Sequence, residues 1–345
     1  MKFQLMCIAL LAGFLLEPTV FAGTPPELAS QATIYRDEWG VPHIDGPTDA
    51  SVVFGSAYAQ CEDYFWQVEE TLIQILGRYA EVMGEAGLEN DQQIHLFEIT
   101  ESAQRDYPNL PTGLREICDA FATGYNYFLD THPDVKPRLI TRYEPYYMLA
   151  YERGLMMQRL LGHAHAPGRQ LPVLLEEARA ATGSNQWAIG PSKTKHGTTM
   201  LFANPHQPWF GTGSFTELHM RSGEGINMSG ATFPGGPFPT MGHNEYLGWA
   251  YTVNEPDVGD VYRLTFDHAT DKNKYRYGDG WKDASEWKRA IKVKTESGMD
   301  ERTYTFRKSH YGPIMAKEDA THYLAVKIAK LYEGSRIVQS LGQIK

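Results

Sequence analysis

The chain has 345 residues, of which 42% are hydrophobic, 12% aromatic and 21% charged. Such a composition is typical of a folded globular protein of roughly two domains, and it excludes an intrinsically disordered chain. The formal net charge is −10 and no run of Lys and Arg stands out, which argues against nucleic acid and anionic membrane surfaces as the main partners.

The amino-terminal segment has the pattern of a secretory signal peptide. Lys2 supplies a positive charge, residues 5–16 form an apolar run too short to span a bilayer, and residues 20–22 place small or branched side chains at the usual cleavage positions. We therefore predict a cleaved signal peptide over 1–22, a periplasmic or secreted location, and no membrane association after cleavage.

Removal of that segment takes away Cys7 and leaves two cysteines, Cys61 and Cys118. In an oxidising compartment they either form one disulfide or remain as two buried thiols. The sequence leaves both alternatives open.

Up to residue 161 the pattern is mostly helical. A hairpin comes first, because residues alternate around a Trp-Gly turn. Helices follow wherever apolar residues recur at helical spacing. The predicted elements are a hairpin over 32–44 and helices over 50–76, 114–129 and 143–161.

The segment 162–183 differs in composition from the helical part, with histidines and prolines followed by a Glu/Ala/Arg stretch. We predict a spacer there. Beyond it the residues alternate as in strands. The chain is thereby divided into an α-subunit-like helical part over 23–161, the spacer, and the start of a β-subunit over 184–345. The predicted strands lie at 187–190, 198–203, 215–221, 226–230, 247–253 and 261–266, and near 291–293, 303–307 and 323–328.

The leading candidate for a reacting group is Ser184, which follows Gly183 and begins an apolar, strand-like run. A cut between these two residues would expose a serine that carries its own base, the free α-amine. The unperturbed pKa of an α-amine is about 7.7–8.0, so much of it is neutral at physiological pH. Gly-Ser pairs are also common in ordinary turns, and this stretch alone leaves that alternative open.

Three further features are candidates for the site. His206 sits between prolines, which would hold it rigidly for contact with Ser184; the alternative is a packed or solvated loop histidine. The strand end over 248–254 offers a backbone N–H as an oxyanion donor, unless it is an ordinary strand. Asp257 and Asp260 place two carboxylates on one turn, which suits either Ca²⁺ or a solvated acidic turn.

A competing hydrolase interpretation uses a Ser/His/Asp triad built from Ser184, or from Ser192 with His196. The sequence contains no G-x-S-x-G elbow, Walker loop, HExxH, C-x-x-C or G-x-G-x-x-G fingerprint. The triad interpretation therefore loses its best support.

Several motifs follow one another in order from about residue 32 to the end of the chain. They cover 36–44, 54–63 with Gln67 and 76–78, then 183–188, 204–206, 242–244 and 249–260. In sequence and order they resemble the penicillin acylase family of N-terminal nucleophile hydrolases, within the branch that contains acyl-homoserine-lactone, aculeacin and cephalosporin acylases.

The resemblance implies an α+β fold, the αββα four-layer sandwich of N-terminal nucleophile hydrolases, in incomplete form. It implies that Ser184 is the nucleophile, freed by autoproteolysis after Gly183, with its own amine as base through a bridging water. His206 matches the family's histidine that contacts the nucleophile. Val253 matches the backbone oxyanion donor.

The resemblance also implies a processed α/β heterodimer that needs no cofactor for catalysis. Asp257 and Asp260 match the spacing of two calcium-binding aspartates, so a structural Ca²⁺ is the candidate metal, although some branches of the family lack it. The implied reaction is hydrolysis of a small, linear, non-peptide amide through an acyl-enzyme on Ser184. Substrates would be acyl-homoserine lactones, penicillins or cephalosporins, or lipopeptides.

Family members continue for several hundred residues and supply an asparagine and an arginine that the resemblance does not place in this chain. We therefore expect the sequence to be the carboxy-terminally truncated part of a longer precursor. The alternative is a fragment that does not process itself and is catalytically incomplete, or an acyl-binding pseudoenzyme.

Overall fold

The computed structural model describes residues 25–161, 183–209, 211–252, 258–329, 331, 340 and 342–344. Within them α-helices dominate before residue 162, and strands dominate the remainder. The α+β class, with a mostly helical first part and a β-rich second part, is confirmed. The helices are α1 Pro25–Gln31, α2 Asp49–Ile75, α3 Ala80–Met83, α4 Glu85–Leu96, α5 Ile99–Asp106, α6 Thr112–Thr131 and α7 Tyr147–Leu161.

The longest helix, α2, begins at a cap that the sequence encodes. The Ser51 backbone N–H donates to the Thr48 hydroxyl, and the Thr48 N–H donates to the Ser51 hydroxyl, each over 3.1 Å. This reciprocal pair satisfies N–H groups that a helix start leaves open. The helix is interrupted at Tyr64, whose φ of −139° is non-helical, and Gly77 follows its end with a left-handed φ of +67° that favours glycine.

The strands of the described residues are β1 Thr33–Arg36, β2 Pro42–Gly46, β3 Gly183–Ile189, β4 Met200–His206, β5 Thr216–Ser222, β6 Asn227–Thr232, β7 Met241–His243, β8 Gly248–Trp249, β9 Gly259–Thr265, β10 Lys274–Tyr277, β11 Gly280–Asp283, β12 Ser285–Thr295, β13 Gly298–Ser309, β14 Gly312–Lys317 and β15 His322–Ile328. They form a six-stranded sheet ordered β1-β2-β5-β6-β7-β8, a five-stranded sheet ordered β12-β13-β14-β15-β9, and the two-stranded ribbons β3-β4 and β10-β11. β2 and β5 run parallel, and the other pairs among the described strands are antiparallel.

Helix α2 covers one face of the six-stranded sheet and packs against α6. Ile44 of β2 is buried against Gly55 of α2, where an added Cβ would lie 2.6 Å from the isoleucine side chain. Gly124 of α6 approaches α2 still more closely, because a Cβ there would lie 2.2 Å from the Phe54 carbonyl oxygen. Helices and sheet are therefore two layers that enclose one buried apolar core.

The six-stranded sheet joins the two predicted parts of the chain, since β1 and β2 come from the first part and β5 to β8 from the second. We call the β2–β5 junction the sheet seam. There His43 lies opposite His219, and their Nδ1 atoms are 2.9 Å apart. Asn227 donates to Glu245 and turns its amide oxygen toward Nε2 of His219, at 3.1 Å. The sheet seam is therefore held by polar side chains as well as by backbone pairing.

A second contact between the two parts is electrostatic, and we call it the ionic seam. Helices α3 and α4 pack on β12, and carboxylates of the first part face cations of the second. The pairs are Glu85–Arg302 at 2.6 Å, Glu98–Lys308, and Glu101–Arg289 at 2.9 Å. Ion pairs that are partly shielded from solvent contribute more than exposed ones, so Glu98–Lys308 and Glu101–Arg289 add more to the association of the parts than Glu85–Arg302, whose carboxylate is exposed.

Glu101→Gln is expected to destabilise the protein at neutral pH, by an amount that shrinks as the pH falls from about 4.5 toward about 2. Burial acts to raise the pKa of Glu101, but hydrogen bonds from His95 and Arg289 outweigh it and lower the pKa from 4.5 to about 2. A carboxylate with a lowered pKa stabilises the fold above its unfolded pKa and loses that contribution as the pH falls through the folded value. Partial exposure limits the effect to about 1–2 kcal/mol at neutral pH.

Urea unfolding followed by tryptophan fluorescence, between about pH 7 and about pH 3, measures this difference. Asp283→Asn is the matched control, because it removes a carboxylate from the exposed pair with Lys274. It should unfold nearly as the wild type does at each pH. A Glu101→Gln penalty that stays constant across the range would contradict the assigned role of the ionised carboxylate.

Cys61 and Cys118 are both free, so of the two alternatives the pair of buried thiols is confirmed. Burial raises the pKa of each thiol, which disfavours the reactive thiolate. We expect the native protein to react with Ellman's reagent orders of magnitude more slowly than the urea-unfolded protein. The melting temperature should not change on adding a reductant. Rapid labelling of the native chain, or a lower melting temperature after reduction, would contradict this prediction.

Most predicted elements are confirmed: the hairpin as β1 and β2, the helices as α2, α6 and α7, and the strands near their expected positions. One strand prediction is wrong in extent. A strand over 247–253 was expected, but of the described residues 247–252 only Gly248–Trp249 is paired, with Gly242 and His243 of β7. Residue 253 lies outside the described residues. Helices α1 and α3 to α5 and strands β7, β10, β11 and β14 were not predicted.

Residues 1–22 and most of the spacer 162–183 lie outside the described residues, so the domain limits stay predictions. None of the helices described is both long enough and apolar enough to cross a bilayer.

Candidate active site

Gly183, Ser184 and His206 lie together at the open end of the ribbon formed by β3 and β4. Gly183 is paired with His206, and Ser184 with Pro205. Directly opposed residues of an antiparallel pair share a face, and successive residues alternate between faces. Ser184 therefore lies on one face of the ribbon, whereas Gly183 and His206 lie on the other.

The face that carries Ser184 borders a cleft of about 750 Å³ between the ribbon and the six-stranded sheet. Leu201, Ala203 and Pro205 form its ribbon wall, and β5 to β8 with their loops form the opposite wall. The ribbon rests on the sheet at Gly248, where an added Cβ would lie 2.7 Å from the Leu201 side chain. The order of helices, sheet and ribbon agrees with the incomplete αββα arrangement expected from the resemblance.

Ser184 itself is half-buried, and its hydroxyl donates a hydrogen bond to the Gly183 carbonyl oxygen. The hydroxyl oxygen is therefore adjacent to the carbonyl group of the peptide bond that the sequence predicts to be cut. Proximity of a nucleophile to its target removes much of the entropic barrier of a reaction.

His206 is the last residue of β4 rather than part of a free loop. A Cβ added to Gly183 would lie 3.2 Å from Nδ1 of His206, so this ring nitrogen faces the glycine directly. The other nitrogen, Nε2, lies 3.0 Å from the amide of Asn185 and 3.0 Å from the amide oxygen of Asn204. Within the described chain, the ring forms no recorded hydrogen bond with the Ser184 hydroxyl.

Two of the remaining candidates, Val253 and Asp257, lie outside the described residues. Asp260 is exposed at the start of β9 and accepts a hydrogen bond from the Tyr262 hydroxyl at 3.3 Å. In the described part of the chain, no group of three or more His, Cys, Asp or Glu side chains is arranged to hold a metal ion. The oxyanion and calcium assignments therefore stay predictions.

Ser192 and His196, the members of the competing triad, are exposed in the connection between β3 and β4. The register puts Ile189 and Met200 at that end of the ribbon and Gly183 at the other. Ser192 and His196 are thus separated from the cleft wall next to Ser184 by the length of a strand.

Asn185 and Asn204 were not among the sequence candidates, although both touch the His206 ring. They are paired across the ribbon and lie on the same face as Gly183 and His206. The sequence did contain a signal for them, because residues two apart on a strand lie on the same face. Asn185 is two residues from Gly183, and Asn204 is two residues from His206. It becomes informative only once the pairing of the strands is known.

Residues 31–345 match the family model described as "Penicillin amidase". Aculeacin-A acylase from Actinoplanes utahensis is 26% identical over 337 residues, which cover 86% of this chain and 42% of that protein. The penicillin acylase 2 proenzyme of Pseudomonas sp. (strain SE83) is 25% identical over 348 residues, covering 84% and 44% respectively. An acyl-homoserine lactone acylase, PvdQ of Pseudomonas putida, is 24% identical over 381 residues, covering 98% and 48%.

A solved thermostable penicillin G acylase from Alcaligenes faecalis aligns with 42% of this chain and 26% of its own, at 21% identity and a TM-score of 0.38. The chain spans less than half the length of the curated relatives just described.

Proposed function

Because the chain belongs to the penicillin amidase family, we propose that it carries the nucleophile of an acylase that hydrolyses a linear, non-peptide amide. The nucleophile is Ser184, and cleavage of the Gly183–Ser184 bond makes it the first residue of a β-subunit. The observation that carries the proposal is the open end of the ribbon, where the Ser184 hydroxyl lies beside the Gly183 carbonyl group and Nδ1 of His206 faces Gly183.

In the cleavage step, the Ser184 hydroxyl oxygen attacks the Gly183 carbonyl carbon, and the hydroxyl proton ends on the Ser184 nitrogen. The carbon–nitrogen bond breaks, and the Ser184 nitrogen gains a proton and leaves as an amine. Water then hydrolyses the ester, which leaves a carboxylate on Gly183 and a free amine and hydroxyl on Ser184. The contact between hydroxyl and carbonyl group supports the first of these steps, since both already belong to one rigid strand.

In the turnover step, the new α-amine of Ser184 accepts the hydroxyl proton, through a bridging water, while the oxygen attacks the carbonyl carbon of the substrate amide. The backbone N–H of Val253 donates to the developing oxyanion, a contact typically worth about 2.7–4 kcal/mol in the transition state. The proton passes to the departing amine, and water then hydrolyses the acyl-enzyme to release the acid and restore the hydroxyl.

The cleft on the Ser184 face of the ribbon, which is lined by Pro205 opposite Ser184 but not by Ser184 itself, supports an apolar acyl group on the substrate. Phe215, Met241 and Leu247 lie on its sheet wall, opposite Leu201 of the ribbon, and such surfaces gain free energy by covering apolar groups. The substrates proposed are acyl-homoserine lactones, penicillins or cephalosporins, and lipopeptides. Two curated relatives are named for acyl-homoserine lactone and penicillin acylase activities.

The proposal includes a signal peptide over 1–22, removal of part of the spacer 162–183, and a periplasmic or secreted α/β heterodimer. The sheet seam and the ionic seam support continued association of the two parts after cleavage. No cofactor takes part in the chemistry. Because the described residues do not assemble a metal site around Asp260, no step is assigned to calcium, and a structural Ca²⁺ on Asp257 and Asp260 remains a separate proposal.

Intact-mass spectrometry of residues 23–345 tests the processing, and amine release from an acyl-homoserine lactone, a penicillin and a lipopeptide tests the turnover. A fragment that begins at Ser184 supports the processing, and amine release by the processed protein supports the turnover. An uncut chain that still binds an acyl group would favour the catalytically incomplete or acyl-binding alternative. If the longest gene product that contains this sequence also stays whole, the self-processing proposal is wrong.

A further inference from the structure

The hydrogen bonds around His206 identify a function for two side chains that no motif assigned. Nε2 of His206 is 3.0 Å from the amide nitrogen of Asn185 and 3.0 Å from the amide oxygen of Asn204. One asparagine thus presents a donor and the other an acceptor to the same ring atom. A single ring nitrogen cannot accept and donate at the same moment, so each contact serves a different protonation state of the ring.

When Nε2 carries a hydrogen, it donates to the Asn204 oxygen, and a neutral ring then has Nδ1 as its free base. When Nε2 is bare, it accepts from the Asn185 amide, and Nδ1 carries the hydrogen of the neutral ring. A charged ring donates from both nitrogens and keeps the Asn204 contact. The ring therefore has a partner that fixes its orientation in every state.

Nδ1 of His206, whose protonation differs between these states, also faces the Gly183–Ser184 junction. Nδ1 points at Gly183, close enough that even a Cβ there would lie 3.2 Å away. Cleavage by Ser184 removes a proton from the hydroxyl oxygen and adds one to the Ser184 nitrogen. Because the hydroxyl lies on the other face of the ribbon, Nδ1 is suited to deliver the proton that the Ser184 nitrogen gains rather than to take the hydroxyl proton directly.

We propose that Asn185 and Asn204 are positioning residues that hold the His206 ring with Nδ1 directed at the Gly183–Ser184 junction, through Asn204 in the Nε2–H and charged states and through Asn185 in the neutral Nδ1–H state. The inference rests on the proposed function for its consequence in cleavage, but the orientation of the ring is a property of the ribbon itself. The two asparagines act through His206 and do not touch the reacting atoms.

We call this pair of contacts, Asn185 and Asn204 with the His206 ring, the clamp. Nitrogen NMR of protein labelled at its histidine nitrogens tests the clamp without any need for cleavage. The chain over 23–345 would carry Ser184→Ala so that it stays whole, and His206→Gln would assign the ring signals. We expect Asn204→Ala to move the neutral ring toward the Nδ1–H tautomer and Asn185→Ala to move it toward the Nε2–H tautomer. Asn204→Asp should raise the titration midpoint of His206 by about 1 pH unit, because a carboxylate favours the charged ring.

Gln186→Ala is the matched control, since it shortens an amide of β3 on the opposite face of the ribbon. It should leave the tautomer ratio and the midpoint of His206 unchanged. If Asn185→Ala and Asn204→Ala also leave both unchanged, the clamp does not exist.

The rate of cleavage against pH, measured on chains that keep Ser184, separates this inference from the proposed function. Asn204→Ala should slow cleavage by about 10- to 100-fold, and Asn204→Asp should restore most of the rate with its pH profile displaced by about 1 unit. Cleavage with unaltered rates and profiles in both variants would overturn the positioning role while the proposed function stands. NMR changes as expected, in a chain whose wild type never cleaves, would overturn the proposed function while the clamp stands.

Discussion

Replacing Ser184 with alanine is expected to leave the chain uncut and to remove turnover altogether. The substitution deletes the only atom that can form the ester with Gly183, and it also deletes the atom that would hold the acyl group of a substrate. Removing the nucleophile of a serine hydrolase typically lowers kcat by about 10⁶-fold. Intact mass after prolonged incubation measures cleavage of the chain, and the rate of amine release measures turnover. The fold should be preserved, because Ser184 makes its recorded hydrogen bond to its own neighbour.

Ser192→Ala is the matched control, since it makes the same change at an exposed serine in the turn of the same ribbon. It is expected to cleave and to turn over at the wild-type rate, whereas the competing triad of Ser192 and His196 predicts loss of activity. Ser184→Cys should retain measurable cleavage, because a thiol is also a nucleophile. Cleavage at the same bond in Ser184→Ala would exclude Ser184 as the nucleophile.

The parts of the fold that sequence reasoning predicted are those with strong local signals. Helix α2 has apolar residues at helical spacing over many turns, and its start is marked by a hydroxyl pair at Thr48 and Ser51. Helices α1, α3 and α5 were not predicted because they have 7, 4 and 8 residues, and the boundaries between α3, α4 and α5 depend on unusual backbone conformations. Glu98 precedes α5 with a φ of +49°, which few non-glycine residues adopt, and Gly84 separates α3 from α4 with a φ of +62°.

The sheet seam had no signal in the sequence at all. His43 and His219 are 176 residues apart, and parallel pairing of distant strands leaves no turn motif to mark it. The helical-to-β change at the spacer suggested two interlocking parts, which is what one shared sheet produces. Nothing local indicates that β2 would pair with β5 rather than with another strand.

At the candidate site, sequence reasoning identified residue types and missed their arrangement. His206 was expected to contact Ser184 from a loop between prolines, whereas the register of β3 and β4 places it opposite Gly183, on the other face from the Ser184 side chain. A shift of one residue in that register would exchange the two faces. The clamp on His206 depends on the same register, so Asn185 and Asn204 could be recognised only from the paired strands.

Gly124→Ala is the substitution with the largest expected effect on the fold. A Cβ at this position would lie 2.2 Å from the Phe54 carbonyl oxygen and 2.9 Å from the Ala57 Cβ. The first contact is with backbone in the middle of a helix, which cannot rotate away, so α6 would have to move off α2. Overpacking of this kind costs about 1–3 kcal/mol, and occasionally more, and we expect about 3 kcal/mol net. That is a large fraction of the typical stability of a domain, about 5–15 kcal/mol.

Gly113→Ala makes the identical change near the start of the same helix, where nothing lies within 4 Å of the added Cβ. Alanine is favoured over glycine in a helix by up to about 1 kcal/mol, so this control should be as stable as the wild type or more stable. Gly124→Ala should lower the free energy of unfolding, whereas Gly113→Ala should not. Urea unfolding of both measures the difference. If Gly124→Ala were as stable as Gly113→Ala, α2 and α6 would not be in backbone contact. The helical layer that supports the sheet behind the cleft would then need a different arrangement.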